Sequence, residues 1–117
     1  MRLTALALSA VLLAPLTAAA DEDYIPPVTD PLLRKECGEC HMTFHPELLP
    51  AVSWRKIVAT LADHFGEDAS LDAGIRDKIA SYLITNAGNH RADPNNPPLR
   101  FTRFDWFREE HNESEIM

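Results

Sequence analysis

The chain has 117 residues, and its 11 Lys and Arg stand against 18 Asp and Glu, which gives a formal net charge of −7 at pH 7. Such an acidic balance argues against nucleic acid as a partner, because nucleic-acid binding needs a basic surface. The length and the 45% share of hydrophobic residues allow one small domain with a modest core.

Residues 1–20 have the pattern of a secretory signal peptide. A positive charge precedes an apolar run over 3–16, and an A-x-A-like cleavage site ends at Ala20. The run is too short for a comfortable membrane span, and an uncleaved anchor is the alternative. The pattern predicts export to the periplasm and a single mature domain of residues 21–117.

A short helix is predicted before the first cysteine. Asp30 and Pro31 combine a helix-capping residue with proline at the first helical position. The predicted helix leads into Cys37, and the prolines of 44–50 predict a loop beyond it.

The five residues from Cys37 through Cys40 to His41 have the C-x-x-C-H spacing that attaches a c-type haem. Two thiols three positions apart can each bond a vinyl group of the porphyrin, and the next histidine can then ligate the iron. A dithiol redox pair and a zinc site are the alternatives. No strand-like run precedes Cys37. No second cysteine pair exists, so zinc would need Cys37, Cys40 and His64 together with His41 or His45. The sequence favours one covalent haem c.

A second helix is predicted to begin at Ser53, a typical N-cap residue, and to stop at Gly66. His64 lies on this predicted helix, on or beside its apolar stripe. The stripe recurs at helical spacing at Trp54, Ile57 or Val58, Leu61 and Phe65.

A third helix is predicted to begin at Ser70 or Asp72 and to run to about Asn86, before Gly88. Its apolar face consists of Ile75, Ile79 and Leu83, with Tyr82 beside them. Residues 89–117 form an extended linker and an aromatic tail, in which 99–103 is a weak strand candidate. The predicted fold is therefore mostly α, a small c-type cytochrome-like domain of about three short helices around one haem, with proline-rich connections.

The ligand opposite His41 decides what the iron can do. Met42 adjoins His41 and Met117 ends the chain, so a methionine ligand is disfavoured. His64 is the first candidate for the distal position, His111 is the second, and an open position is the third. Two histidine ligands favour electron transfer, whereas an open position favours gas binding. We therefore expect an electron carrier rather than an enzyme, with a haem-based ligand-binding or gas-sensing protein as the alternative.

These residues resemble the bacterial dihaem cytochrome c family over nearly the whole mature chain. The run from His64 to Asp72 is the most specific part of the resemblance. The other parts are residues 37–41, 48–50, 53–54, 106–107, 110–111 and 115–116.

The resemblance implies a small periplasmic electron carrier with bis-histidine haems. Its implied partners are an oxygen-binding c-type cytochrome and a membrane cytochrome b. By matching position, His41 is the proximal and His64 the distal ligand of the first haem, and His111 matches a histidine that belongs with the second. The family pattern continues to a second C-x-x-C-H, whereas this sequence contains one such motif and predicts one haem.

Overall fold

The computed structural model describes residues 25–112, and this part of the chain is mostly helical, as predicted. The predicted signal peptide (1–20) and residues 113–117 lie outside the described residues. Four α-helices are present in 25–112: α1 (Pro31–Cys37), α2 (Ala51–Ala59), α3 (Ala73–Thr85) and α4 (Asp105–Glu110). Three 3₁₀-helices connect them at Pro46–Leu48, Leu61–Asp63 and Phe101–Arg103. None of the helices in this range is long and apolar enough to cross a membrane.

Helix α1 begins as the sequence predicts. The Asp30 side chain accepts a hydrogen bond of 2.7 Å from the Leu33 amide, and Pro31 occupies the first turn. Leu33 is only 1% exposed and anchors the helix in the core. Cys37 is therefore the last residue of a helix whose orientation is fixed by both a cap and a buried side chain.

The predicted start of the second helix at Ser53 is wrong. Helix α2 begins at Ala51, because the carbonyl of Pro50 accepts the amides of Ser53 and Trp54 at 3.0 and 3.2 Å. Ser53 is fully buried inside the helix, and its hydroxyl has no hydrogen-bond partner within residues 25–112. A serine suited to capping is here a small core residue.

The predicted end of that helix is also wrong, and His64 does not lie on a helix. Helix α2 ends at Ala59, and His64 follows the 3₁₀-helix Leu61–Asp63. The Asp63 carboxylate accepts the Gly66 amide at 3.1 Å, and the Leu61 carbonyl accepts the Ala69 amide at 2.8 Å. These bonds favour a turn, because a short polar side chain offers the backbone an alternative to helical pairing.

Helix α3 has the predicted position and packs against α2. Asp72 precedes it, Asn86 follows it, and Ile79 and Leu83 are 2% and 3% exposed. Its packing completes a single core in the described part of the chain. The core residues are Leu33, Leu49, Trp54, Ile57, Val58, Ile79 and Leu83.

The C-terminal segment returns to this core. The strand candidate at 99–103 is wrong, since Phe101–Arg103 is a 3₁₀-helix and leads into α4, which the sequence did not predict. Leu99, Phe101 and Phe104 pack against the core residues. Phe101 and Phe104 are three positions apart, which places them on one face of a helical turn and departs from the alternation that a strand requires.

Candidate metal centre

The C-x-x-C-H motif lies at the C-terminal end of α1. Cys37 is half-buried as the last helical residue, Cys40 is exposed in the turn that follows, and both thiols are free. Burial, and then the neighbouring carboxylate of Glu36, raises the pKa of the Cys37 thiol. The exposed Cys40 and the half-buried Cys37 thus present two unpaired thiols next to His41.

Gly38 makes the turn between the two cysteines possible. Its amide donates to the Arg34 carbonyl at 3.1 Å and closes the helix. A Cβ atom at this position would collide with that carbonyl oxygen and would lie 2.9 Å from Oγ1 of Thr43. The motif therefore needs the smallest residue at its first intervening position.

His41 is held in one tautomer. Its Nδ1 lies 2.6 Å from the carbonyl oxygen of Met42, and a carbonyl can only accept, so Nδ1 carries the proton. The lone pair of Nε2 is then free for a metal. A hydrogen bond from the other ring nitrogen is the usual support of a metal-binding histidine.

His41 and His64 lie close together although they come from separate turns. Their ring centroids are 6.2 Å apart, and the ring planes differ by 26°. Imidazole nitrogens bind metals at about 2 Å, and each ring centre lies little more than one bond length beyond its nitrogen, so a bis-imidazole metal site has centroids roughly 6 Å apart. The observed pair has the spacing that such a site requires.

The surroundings of His64 favour its neutral form. Burial lowers its pKa, and the electrostatic interaction with the nearby imidazole of His41 lowers the pKa further. Neutral imidazole is the form that binds metal. An open groove of about 350 Å³ lies beside His64. The groove is lined by Ile57, Thr60, Asp63, His64, Phe65, Gly66 and Leu99.

Aromatic rings flank His41, a feature that the sequence did not predict. Phe44 lies 5.3 Å from His41, and Phe101 lies 5.2 Å from Phe44, between ring centroids. Phe44 follows His41 by three positions, which is a signal visible in the sequence, whereas the approach of Phe101 depends on the tertiary fold. Aromatic and apolar walls with a few polar groups are typical of a cofactor site. The thiols, the paired histidines and these walls fit a covalently attached porphyrin.

His111, the second candidate ligand, lies apart from this pair. It is exposed after α4, its Nδ1 is 2.8 Å from the Phe107 carbonyl, and its ring stacks on Phe107 at 4.0 Å. Among the described residues, the ring contacts of His41 are with Phe44 and His64. The structure therefore brings His64 to His41, which follows Cys37 and Cys40 directly in the chain, while the roles assigned to these residues stay predictions.

A family model described as dihaem cytochrome c matches residues 33–116. The chain belongs to the dihaem cytochrome c family. The membership confirms the resemblance seen in the sequence, and it makes the chain a c-type cytochrome of an electron-transfer family that binds haem c. No curated protein gives a significant match.

Solved structures of the same family agree in fold. The crystal structure of a protein named DHC, purified from Rhodobacter sphaeroides, is 48% identical, with a TM-score of 0.66 over 74% of this chain and 73% of that one. A diheme cytochrome c from Rhodobacter sphaeroides is 43% identical, with a TM-score of 0.69 over 74% and 76% of the two chains. A diheme cytochrome type c from Shewanella baltica OS155 is 37% identical, with a TM-score of 0.62 over 71% and 61%.

Proposed function

We propose that this member of the dihaem cytochrome c family is exported to the periplasm and carries single electrons through one covalent, bis-histidine haem. Cys37 and Cys40 would hold the porphyrin, His41 would be the proximal ligand and His64 the distal ligand. When bound, the haem supplies a reversible one-electron change at iron, and the protein sets its potential through the ligands and their burial.

The pairing of His41 with His64 is the observation that supports this proposal most directly. Their centroid separation of 6.2 Å suits two ligands on opposite sides of one metal, and the bond from His41 to Met42 leaves Nε2 free. Filled axial positions favour electron transfer, since the coordination then changes little with oxidation state. The alternative of a gas-binding protein requires His64 to stay away from the iron.

The acidic surface suggests how partners are recognised. With a formal net charge of −7, the chain suits docking on a basic patch of another redox protein. We propose an oxygen-binding c-type cytochrome and a membrane cytochrome b as these partners. The rate of electron exchange should then fall as ionic strength rises, because salt screens attraction between exposed charges.

The first test is the visible spectrum of the protein matured in a host that attaches haem in its periplasm. We expect the absorption bands of a reduced c-type haem, and carbon monoxide should not shift them. The mass of the protein should increase by that of one covalently attached haem. His64→Ala should bind carbon monoxide, whereas the control His111→Ala should behave as the native chain does. A matured protein without covalent haem, or a native protein whose bands shift as far as those of His64→Ala, would contradict the proposal.

A further inference from the structure

The turn that presents His64 has an unusual backbone. The amide and carbonyl of His64 pair with the carbonyl and amide of Glu67 at 2.7 and 3.2 Å, so the two central residues are Phe65 and Gly66. Both have positive φ, 55° at Phe65 and 94° at Gly66, as in a type I′ turn. Glycine adopts this backbone freely, but a bulky residue adopts it rarely. Other contacts must therefore stabilise the unfavourable backbone conformation of Phe65.

Burial does not hold Phe65, because its side chain is 48% exposed. Two contacts are made by its ring instead. The guanidinium carbon of Arg100 lies 4.3 Å from the ring centroid, in cation–π geometry. The ring of His64 meets the Phe65 ring edge-on at 4.9 Å. The Phe65 ring thus contacts both the Arg100 guanidinium and His64, the candidate distal ligand.

The backbone at Arg100 is held in place by its neighbours. Leu99, on one side, packs against the core, and the Arg100 carbonyl accepts the Arg103 amide at 3.1 Å. Phe101, on the other side, contacts Phe44, which contacts His41. The three residues 99–101 therefore reach the surroundings of both histidines.

We propose that Arg100 is a positioning residue for His64: through the ring of Phe65 it stabilises the strained turn that presents the distal histidine. The proposal rests on the proposed function, since it needs His64 to be an iron ligand. Removing the cation leaves the turn free to relax, and a relaxed turn releases His64 from the iron more often.

Carbon monoxide measures this release, because it competes with His64 for the sixth position of the reduced haem. Its apparent dissociation constant is the intrinsic constant divided by the fraction of protein in which the position is open. A cation–π contact at an exposed site changes an equilibrium by about two- to fivefold. Arg100→Gln in the haem-loaded protein should therefore bind carbon monoxide about two- to fivefold more tightly.

A rate provides a second measurement where the native affinity is too weak to titrate. At saturating carbon monoxide, the observed binding rate reaches the dissociation rate of His64, and Arg100→Gln should raise it by a similar factor. Arg103→Gln is the matched control, because it removes the same charge three positions further on, at the end of the 3₁₀-helix that Arg100 precedes. Among the described residues, Arg103 makes no ring contact or ion pair. Arg100→Lys keeps a cation over Phe65 and should stay near the native value.

The effect must also depend on His64. In a His64→Ala background the position is always open, so Arg100→Gln should change nothing there, as a double-mutant cycle measures. Equal effects of Arg100→Gln and Arg103→Gln, or an effect that persists without His64, would overturn the positioning role. A native protein that binds carbon monoxide as freely as His64→Ala would instead refute the proposed function.

Discussion

Trp54 connects α2 to the segment that follows the haem motif, and its replacement by phenylalanine should be costly. The side chain is 8% exposed, and its indole nitrogen donates a buried hydrogen bond of 2.7 Å to the Pro46 carbonyl. Pro46 belongs to the 3₁₀-helix between His41 and α2. The bond thus ties the segment that follows His41 to the core.

Trp54→Phe removes this donor and leaves the buried carbonyl of Pro46 with only the longer bond of 3.4 Å from the Leu49 amide. The loss of one hydrogen bond costs about 0.5–1.5 kcal/mol, and the smaller ring adds a cavity cost of similar size, so we expect a loss of about 1–3 kcal/mol in the free energy of unfolding. Urea unfolding of the haem-loaded protein, followed by far-ultraviolet circular dichroism, measures the loss as a lower midpoint at an unchanged slope.

Trp106→Phe is the matched control for the same substitution. The Trp106 indole nitrogen is also buried, but it has no hydrogen-bond partner within residues 25–112. Its removal should change the free energy of unfolding by less than about 1 kcal/mol. Equal losses from Trp54→Phe and Trp106→Phe would refute the importance of the bond to Pro46.

Three further substitutions test the turns and caps. Gly38→Ala should lower the haem content per protein and destabilise the fold by about 1–3 kcal/mol, because the new Cβ collides with the Arg34 carbonyl; absorbance per unit mass measures the first effect. Gly74→Ala has open space around it and should raise the urea midpoint by the equivalent of about 0.4–1 kcal/mol, and a loss would show that the position is constrained. Ser53→Ala should be neutral or stabilising, whereas a loss of about 1 kcal/mol in urea unfolding would show that the buried hydroxyl makes a stabilising hydrogen bond.

Local chemistry explains which parts of the fold could be predicted. The start of α1 was predictable because Asp30 and Pro31 act on the residues next to them. The second helix was predicted with wrong ends, because Ser53 and Gly66 are compatible with several roles and neighbouring groups decide between them. Pro50 already supplies the carbonyl that starts α2, and the Asp63 side chain stabilises a turn where the apolar stripe suggested more helix.

The candidate site was only partly predictable for a similar reason. The positions of Cys37, Cys40 and His41 follow from a five-residue motif, so their proximity needed no tertiary information. The approach of His64 to His41 was expected from an amphipathic helix, but it arises from a turn. The contacts of Phe101 and Arg100 join residues far apart in sequence, and no periodic pattern indicates them.

Both candidate ligands, His41 and His64, lie in turns rather than on helices. His41 follows α1 in a turn, and His64 follows α2 in a second turn, so neither is fixed by a helix face. Sites built on turns are less precise than sites built on helices unless packing and hydrogen bonds immobilise them. In this chain the supporting contacts come from 99–101, whose side chains reach the neighbours of both histidines. The segment that the sequence suggested was a tail is thus part of the wall of the candidate metal centre.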